Sequence, residues 1–168
     1  MKLDDKEINR LLEQITDRLK ALLDNTGRKD PLIIGIHTGG YWIAQQISRR
    51  LGQTVPPGEL NIAFYRDDFS RVGMHPHVTP SNLPYAVEDR HIVLVDDVLH
   101  TGRTIRAAMN EIFDFGRPAS ITLVVLIDRS GHELPIRADI AGKSLTLGPD
   151  EHAKLHGPEP LALEIKKA

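Results

Sequence analysis

Residues 91–104 read HIVLVDDVLHTGRT, and the order of their parts decides the fold. Ile92-Val93-Leu94-Val95 is a short apolar run, as expected of a strand covered on both faces. It ends in adjacent carboxylates, Asp96 and Asp97, followed by the turn Thr101-Gly102-Arg103-Thr104. Ile105, Ala108, Met109, Ile112 and Phe113 then recur at three- and four-residue spacing and predict a helix. In an open parallel sheet, ligands bind beyond the C-terminal ends of strands. Carboxylates and an anion-binding turn at such an end suit a ligand carrying both a sugar and a phosphate.

Upstream, Ile8, Leu11, Leu12, Ile15, Leu19, Leu22 and Leu23 form a helical stripe that Asn25-Thr26-Gly27 should stop. Leu32–Ile36 reads as a buried strand, His37-Thr38-Gly39-Gly40 as a turn, and Tyr41–Arg50 as a helix with Ile43 and Ile47 inward. Leu60, Ile62 and Phe64 alternate, predicting a strand over 59–65. The stretch 66–84 holds Gly73, Pro76, Pro80 and Pro84 and reads as a lid loop over a site. Downstream, Ile121–Ile127 is a further strand, ending in Asp128-Arg129-Ser130-Gly131. The tail, cut by glycines and prolines, reads as part of a small hood over about 128–168. Alternating strands and helices imply right-handed crossovers, hence an α/β fold with a mostly parallel central sheet flanked by helices.

The 168 residues suffice for a single domain, 1–168, with its own core. The net charge of −2 gives no global basic field of the sort common in nucleic-acid binders. Cysteine is absent, which removes disulfides and thiolate chemistry. The opening MKLDDKEINR lacks an apolar signal segment, and no apolar run approaches the roughly 20 residues of a membrane span. A cytoplasmic protein with no membrane partner is the expectation.

Three motifs fall at expected strand ends: 37–40, 96–104 and 128–131. Asp96 and Asp97 suit paired sugar hydroxyls or a hydrated Mg²⁺; one acid alone would read more simply as a helix cap. Thr101, Gly102, Arg103 and Thr104 suit a phosphate cradle of hydroxyls and amides at a helix start. The lysine and glycine spacing of a P-loop are missing. Thr38, Gly39 and Gly40 form either a plain strand-to-helix turn or a set of amides for a second anion such as pyrophosphate. Tyr65-Arg66-Asp67-Asp68 is a solvated loop stem or a source of a cation for diphosphate. His75 and His77 lack further ligands at recognised spacing, so no structural metal is expected. Trp42 reads as a packing residue.

The valine-rich strand, Asp-Asp and Thr-Gly-Arg-Thr together resemble the phosphoribosyl-pyrophosphate (PRPP) motif of type I phosphoribosyltransferases. Phe64-Tyr65-Arg66-Asp67-Asp68, Val95-Asp96-Asp97-Val98-Leu99, Gly116-Arg117-Pro118 and Leu134-Pro135-Ile136-Arg137-Ala138-Asp139 narrow the resemblance to the PyrR family. That family is the bifunctional pyrimidine-operon regulator and uracil phosphoribosyltransferase, and the likeness runs from the first helix to Gly142-Lys143. It implies a type I phosphoribosyltransferase fold with a small hood and a mobile lid. It implies that Asp96 and Asp97 bind the ribose of PRPP with Mg²⁺. The 5′-phosphate would lie in the loop Val98, Leu99, His100, Thr101, Gly102, Arg103 and Thr104. Thr38, Gly39 and Gly40 would line the pyrophosphate loop, with Arg66, Asp67 and Asp68 at the lid. Arg129 and Ile140, Ala141, Gly142 and Lys143 would sit near the nucleobase. The implied activity forms UMP from uracil and PRPP, in a homodimer or larger homo-oligomer, with pyrimidine leader mRNA as a further partner.

The chain departs from the family pattern at Gly39, where Thr-Arg-Gly is usual, at His100, usually tyrosine, and at Ser130-Gly131-His132, usually the more basic Gly-His-Arg. Fewer cations face phosphate, on which RNA affinity also leans. Two alternatives follow: a weakly active or inactive UMP- or PRPP-sensing regulator, including an RNA-binding attenuator, and a phosphoribosyltransferase for a purine base.

Overall fold

The computed structural model describes residues 1–62 and 81–168. Five strands form an entirely parallel sheet in the order β3-β2-β4-β5-β6: β2 Leu32–Ile36, β3 Gly58–Leu60, β4 His91–Leu99, β5 Ser120–Arg129 and β6 Ile140–Leu145. Helices α1 (Asp5–Thr26), α2 (Gly39–Leu51) and α3 (Arg103–Phe115) pack on it. The α/β reading of the sequence stands: a parallel central sheet flanked by helices.

The two faces of the sheet explain why its strands are continuously apolar. One face buries Ile33, Val93, Val95, Val124 and Leu126 against Ile8, Leu12, Ile15 and Leu19 of α1 and Ile43 and Ile47 of α2. The other buries Ile34, Ile92, Leu94 and Val125 against Ile105, Ala108 and Ile112 of α3. Each fully buried aliphatic side chain stabilises by about 1.5–3 kcal/mol relative to exposure. The stripe read in α1 is the buried one, with Leu22 at its margin. Asp4 caps the helix by accepting from the Glu7 amide at 2.9 Å, and Gly27 (φ 67°) ends it. On α3, Phe113 is 57% exposed rather than inward. The stripe through Ile105, Ala108 and Ile112 fills the interface, which leaves residue 113 a further ~100° round.

The hood differs from its expected extent. A separate antiparallel sheet, in the order β1-β8-β7, joins Lys2–Leu3 to Ala162–Lys167 and Glu151–His156. Its β1 comes from the opposite end of the chain, and β6, expected there, is instead the edge of the main sheet. The strand expected over 59–65 is short, Gly58–Leu60, as far as the described residues go. Most of the proposed lid, together with Arg66, Asp67, Asp68, His75 and His77, lies outside the described residues. Where the chain returns, Glu59 and Asn82 exchange backbone hydrogen bonds of 2.8 and 2.7 Å. Among the described residues, no helix is long and apolar enough to cross a membrane.

Candidate functional site

Strand β4 does not stop before its acids. It runs through Asp96, Asp97 and Val98 to Leu99, because β5 extends alongside and pairs Asp96 with Val125 and Leu99 with Asp128. The carboxylates are therefore held by a sheet ladder rather than by a loop. Each folds back on the chain: the Asp97 amide donates to Asp96 Oδ1, and the Val98 amide to Asp97 Oδ1, both at 2.8 Å. Asp96 is buried, and Asp97 is partly open.

Strand β2 delivers the second motif beside the first. The turn is shorter than expected, for α2 begins at Gly39, and the His37–Thr38 peptide is cis. Thr38 makes no side-chain cap, so its hydroxyl leaves the amides that open α2 uncovered. Gly39 faces Asp97 across the strand ends. A Cβ built there would lie 2.8 Å from Asp97 Cγ and 3.2 Å from Asp97 Cβ. The neighbouring His37 ring, exposed beside this turn, pairs through Nδ1 with the Glu59 carboxylate of β3.

Val98, Leu99, His100 and Thr101 lead into the turn at Gly102. There φ is 96°, a left-handed value that glycine takes without strain. Gly102 opens α3, leaving the amides of Arg103 and Thr104 in the first helical turn, with the Thr101 hydroxyl accepting from Arg103 N at 3.2 Å. The Arg103 guanidinium turns to Glu133 at 3.1 Å and is exposed. His100 approaches Gly131. Burial lowers its pKa most, and the Arg129 charge lowers it further.

At the end of β5, Arg129 is buried and bonded to backbone. Its Nη1 donates to Glu151 O at 2.6 Å, Nη2 to Gly148 O at 3.2 Å and Nε to Ser130 O at 3.3 Å. Ile140, Ala141, Gly142 and Lys143 lie on β6. Ile140 is in the core, Ala141 O accepts from Arg18, and Gly142 packs close to Leu126 O and Ile15. Among the described residues, no group of three or more acidic, histidine or cysteine side chains could hold a metal ion. Asp96 and Asp97 still match Mg²⁺ that brings phosphate and water oxygens as its other ligands, since such a site needs only one or two carboxylates.

Two pairs escaped the sequence reading. His37–Glu59 joins residues from different strands, and no local spacing announces it. His132 meets Asp128 at 2.7 Å; the strand-end position of Asp128 was visible in the 128–131 motif, but nothing marked His132 as its partner.

The arrangement finds close counterparts in known proteins. A family model described as "Phosphoribosyl transferase domain" matches residues 4–155. The "Bifunctional protein PyrR" of Nitrosococcus oceani is 55% identical over 95% of this chain and 91% of its own. That of Pseudomonas fluorescens is 56% identical over 93% of each chain. Among solved structures, a Trypanosoma cruzi hypoxanthine phosphoribosyltransferase (a mutant in a ternary substrates complex) superposes with a TM-score of 0.65 at 21% identity, covering 94% of this chain and 85% of its own. A hypoxanthine-guanine-xanthine phosphoribosyltransferase gives 0.61 at 19%, over 85% and 76%. These structural likenesses concern the fold alone.

Proposed function

The chain belongs to the PyrR family of phosphoribosyltransferases, and from that premise we propose that it makes UMP and pyrophosphate from uracil and PRPP and takes part in regulating pyrimidine biosynthesis genes. The observation that carries this reading is the meeting of Asp96-Asp97, the Gly39-Gly40 helix start and the Gly102 turn beyond neighbouring parallel strands.

In this reading Asp96 and Asp97 take the ribose hydroxyls of PRPP. The amides of Gly102–Thr104 and the hydroxyls of Thr101 and Thr104 hold its 5′-phosphate. Thr38, Gly39 and Gly40 face the pyrophosphate with backbone amides, and Arg66, Asp67 and Asp68 belong to the lid. Asp96 and Asp97 would hold Mg²⁺ together with PRPP, and the ion would supply charge neutralisation to the pyrophosphate. N1 of uracil bonds to C1 of the ribose as the C1–O bond to pyrophosphate breaks, the N1 proton passing to water, and no protein nucleophile is needed. Fixing both ends of the sugar brings C1 beside the base, which removes much of the entropic cost of the encounter. The functional protein is a homodimer or a larger assembly.

The test is UMP formation from uracil, PRPP and Mg²⁺, beside hypoxanthine, guanine and xanthine. Turnover with uracil supports the reading; turnover with a purine alone replaces it.

A second reading rests on one feature. Position 39 is a glycine and brings no side-chain cation to the pyrophosphate loop, and Asp97 occupies the space beside it. A regulator that binds UMP or PRPP with little turnover, with or without pyrimidine leader mRNA, fits that feature. Tight UMP binding without UMP formation would favour it, and binding of leader RNA with and without UMP, at fixed salt, decides the RNA arm.

A further inference from the structure

The third strand-end motif is built differently from the other two. Register pairs Leu99 of β4 with Asp128 of β5, and Asp128 in turn with Ser144 of β6. Paired residues on adjacent strands send their side chains to the same side of a sheet, so Asp128 and Ser144 stand next to each other. A cavity of about 410 Å³ opens there, lined by Asp128, Ser130, Gly131, His132, Ser144 and Thr146 among others. That volume lies within the ~300–1,000 Å³ usual for small-molecule sites.

The cavity shares a wall with the sugar-phosphate site. The amides of Glu133 and Leu134, just past His132, donate to Thr101 O at 2.9 and 3.1 Å. His100 sits against Gly131. A ligand whose phosphate lies at Gly102 thus has this cavity beside it, one strand across from Asp96.

Two side chains in the wall are partly buried and joined. His132 Nε2 donates to Asp128 Oδ1 at 2.7 Å, with the two groups 24% and 26% exposed. This leaves Asp128 Oδ2 without a hydrogen-bond partner among the described residues. Arg129 is held elsewhere, with three of its five N–H donors on the Glu151, Gly148 and Ser130 carbonyls. An ionised carboxylate only accepts hydrogen bonds. It therefore selects a ring N–H and repels a ring nitrogen that offers a lone pair. The edge of uracil opposite the sugar presents N3–H between two carbonyl oxygens, whereas cytosine presents a bare N3.

We propose that Asp128, oriented by His132, reads the ring N–H of the pyrimidine, and that Ser144 lines the same subsite. The proposal rests on the transferase reading and adds to it the residue that chooses the base.

Initial rates with uracil and with 3-methyluracil, which lacks the N3–H, test it in wild type, Asp128→Ala, Asp128→Asn and His132→Gln. Wild type should prefer uracil by about a hundredfold or more in kcat/KM, as sites built to bond a polar group reject analogues that lack it. Asp128→Ala should raise KM for uracil by about tenfold or more, hold KM for PRPP within about twofold and lose most of that preference. Asp128→Asn, which keeps an acceptor oxygen without the charge, should fall between, and His132→Gln should cost less than Asp128→Ala. An unchanged preference in Asp128→Ala overturns the proposal, and so does an equal rise in both KM values. Wild type that converts no uracil overturns the transferase reading instead. Calorimetric binding of UMP against ribose 5-phosphate then still decides Asp128: selective loss of UMP affinity in Asp128→Ala supports it, and parallel behaviour of the two ligands sinks it.

Discussion

Asp97 rests against Gly39, with its Cγ 2.8 Å from where a β-carbon on residue 39 would be. Position 39 is thus a packing partner of the acid as well as a position without a side-chain cation in the proposed pyrophosphate loop. Any side chain there has to move a carboxylate that is also tied to Val98 N. Gly39→Ala should lower kcat/KM for PRPP by about tenfold, in line with the penalty for small misplacement of a positioned group. Gly39→Arg, which restores the usual family residue, should likewise lose activity here. Steady-state kinetics of the two variants check this; a gain in turnover from arginine would instead support the weakly active regulator.

Asp97→Asn keeps an acceptor for Val98 N but removes the charge that the proposed ribose and Mg²⁺ role requires. PRPP-dependent kcat/KM should fall by about 10²-fold, typical for loss of one well-placed electrostatic contact, with the thermal transition nearly unmoved. Unchanged kcat/KM would reject the ribose assignment.

Gly102 holds φ at 96°. Gly102→Ala should cost about 1–2 kcal/mol of stability, the strain of a side chain in left-handed backbone. It should also raise KM for PRPP, because the α3 amides start from this residue. Denaturant melts beside kinetics test both halves.

Arg129 binds three carbonyls across the β6–β7 connection and the end of β5. Arg129→Met should destabilise the fold by about 1–3 kcal/mol, since it strips charge-assisted bonds from part-buried carbonyls and removes a buried side chain's partners. If the loss were confined to KM for uracil with no change in melting, the residue would belong to the base site instead.

Glu111 of α3 is buried, and burial holds its carboxyl above the usual range although the Ser81 hydroxyl donates to it. A raised folded-state pKa gives stability that is complete below the unfolded value and is lost as pH rises through the folded one. At neutral pH the ionised group is a cost. Glu111→Gln should therefore melt higher than wild type near pH ~7.5, and the difference should shrink toward pH ~4.5. A difference that is constant across that range would show that Glu111 does not titrate differently on folding.

The sequence was most readable where burial is symmetric or one-sided. β2 runs from Leu32 to Ile36 as expected, because every residue of it is covered. α1 was legible because only one stripe of it is buried. The end of β4 was not, since two acids interrupt the apolar pattern and only pairing with β5 carries the strand on to Leu99. β1 could not be seen at all: two residues carry no periodicity, and their partners are Leu163 and Glu164. At the site, the pairs of adjacent residues were conspicuous, whereas Asp128 with His132, Gly39 with Asp97 and His37 with Glu59 depend on how the chain folds.

The pairing of β1 with β8 also sets an order of events during synthesis on the ribosome. The parallel sheet is complete once Leu145 has emerged, but Lys2 and Leu3 wait for residues 163 and 164. The amide of Ile165 then closes the clasp on Met1 O at 3.1 Å. Leu3, buried in the native protein, therefore lacks its cross-strand partner Leu163 until well after the parallel strands have been made. The small sheet is thus a latch between segments about 160 residues apart, Lys2–Leu3 and Ala162–Lys167.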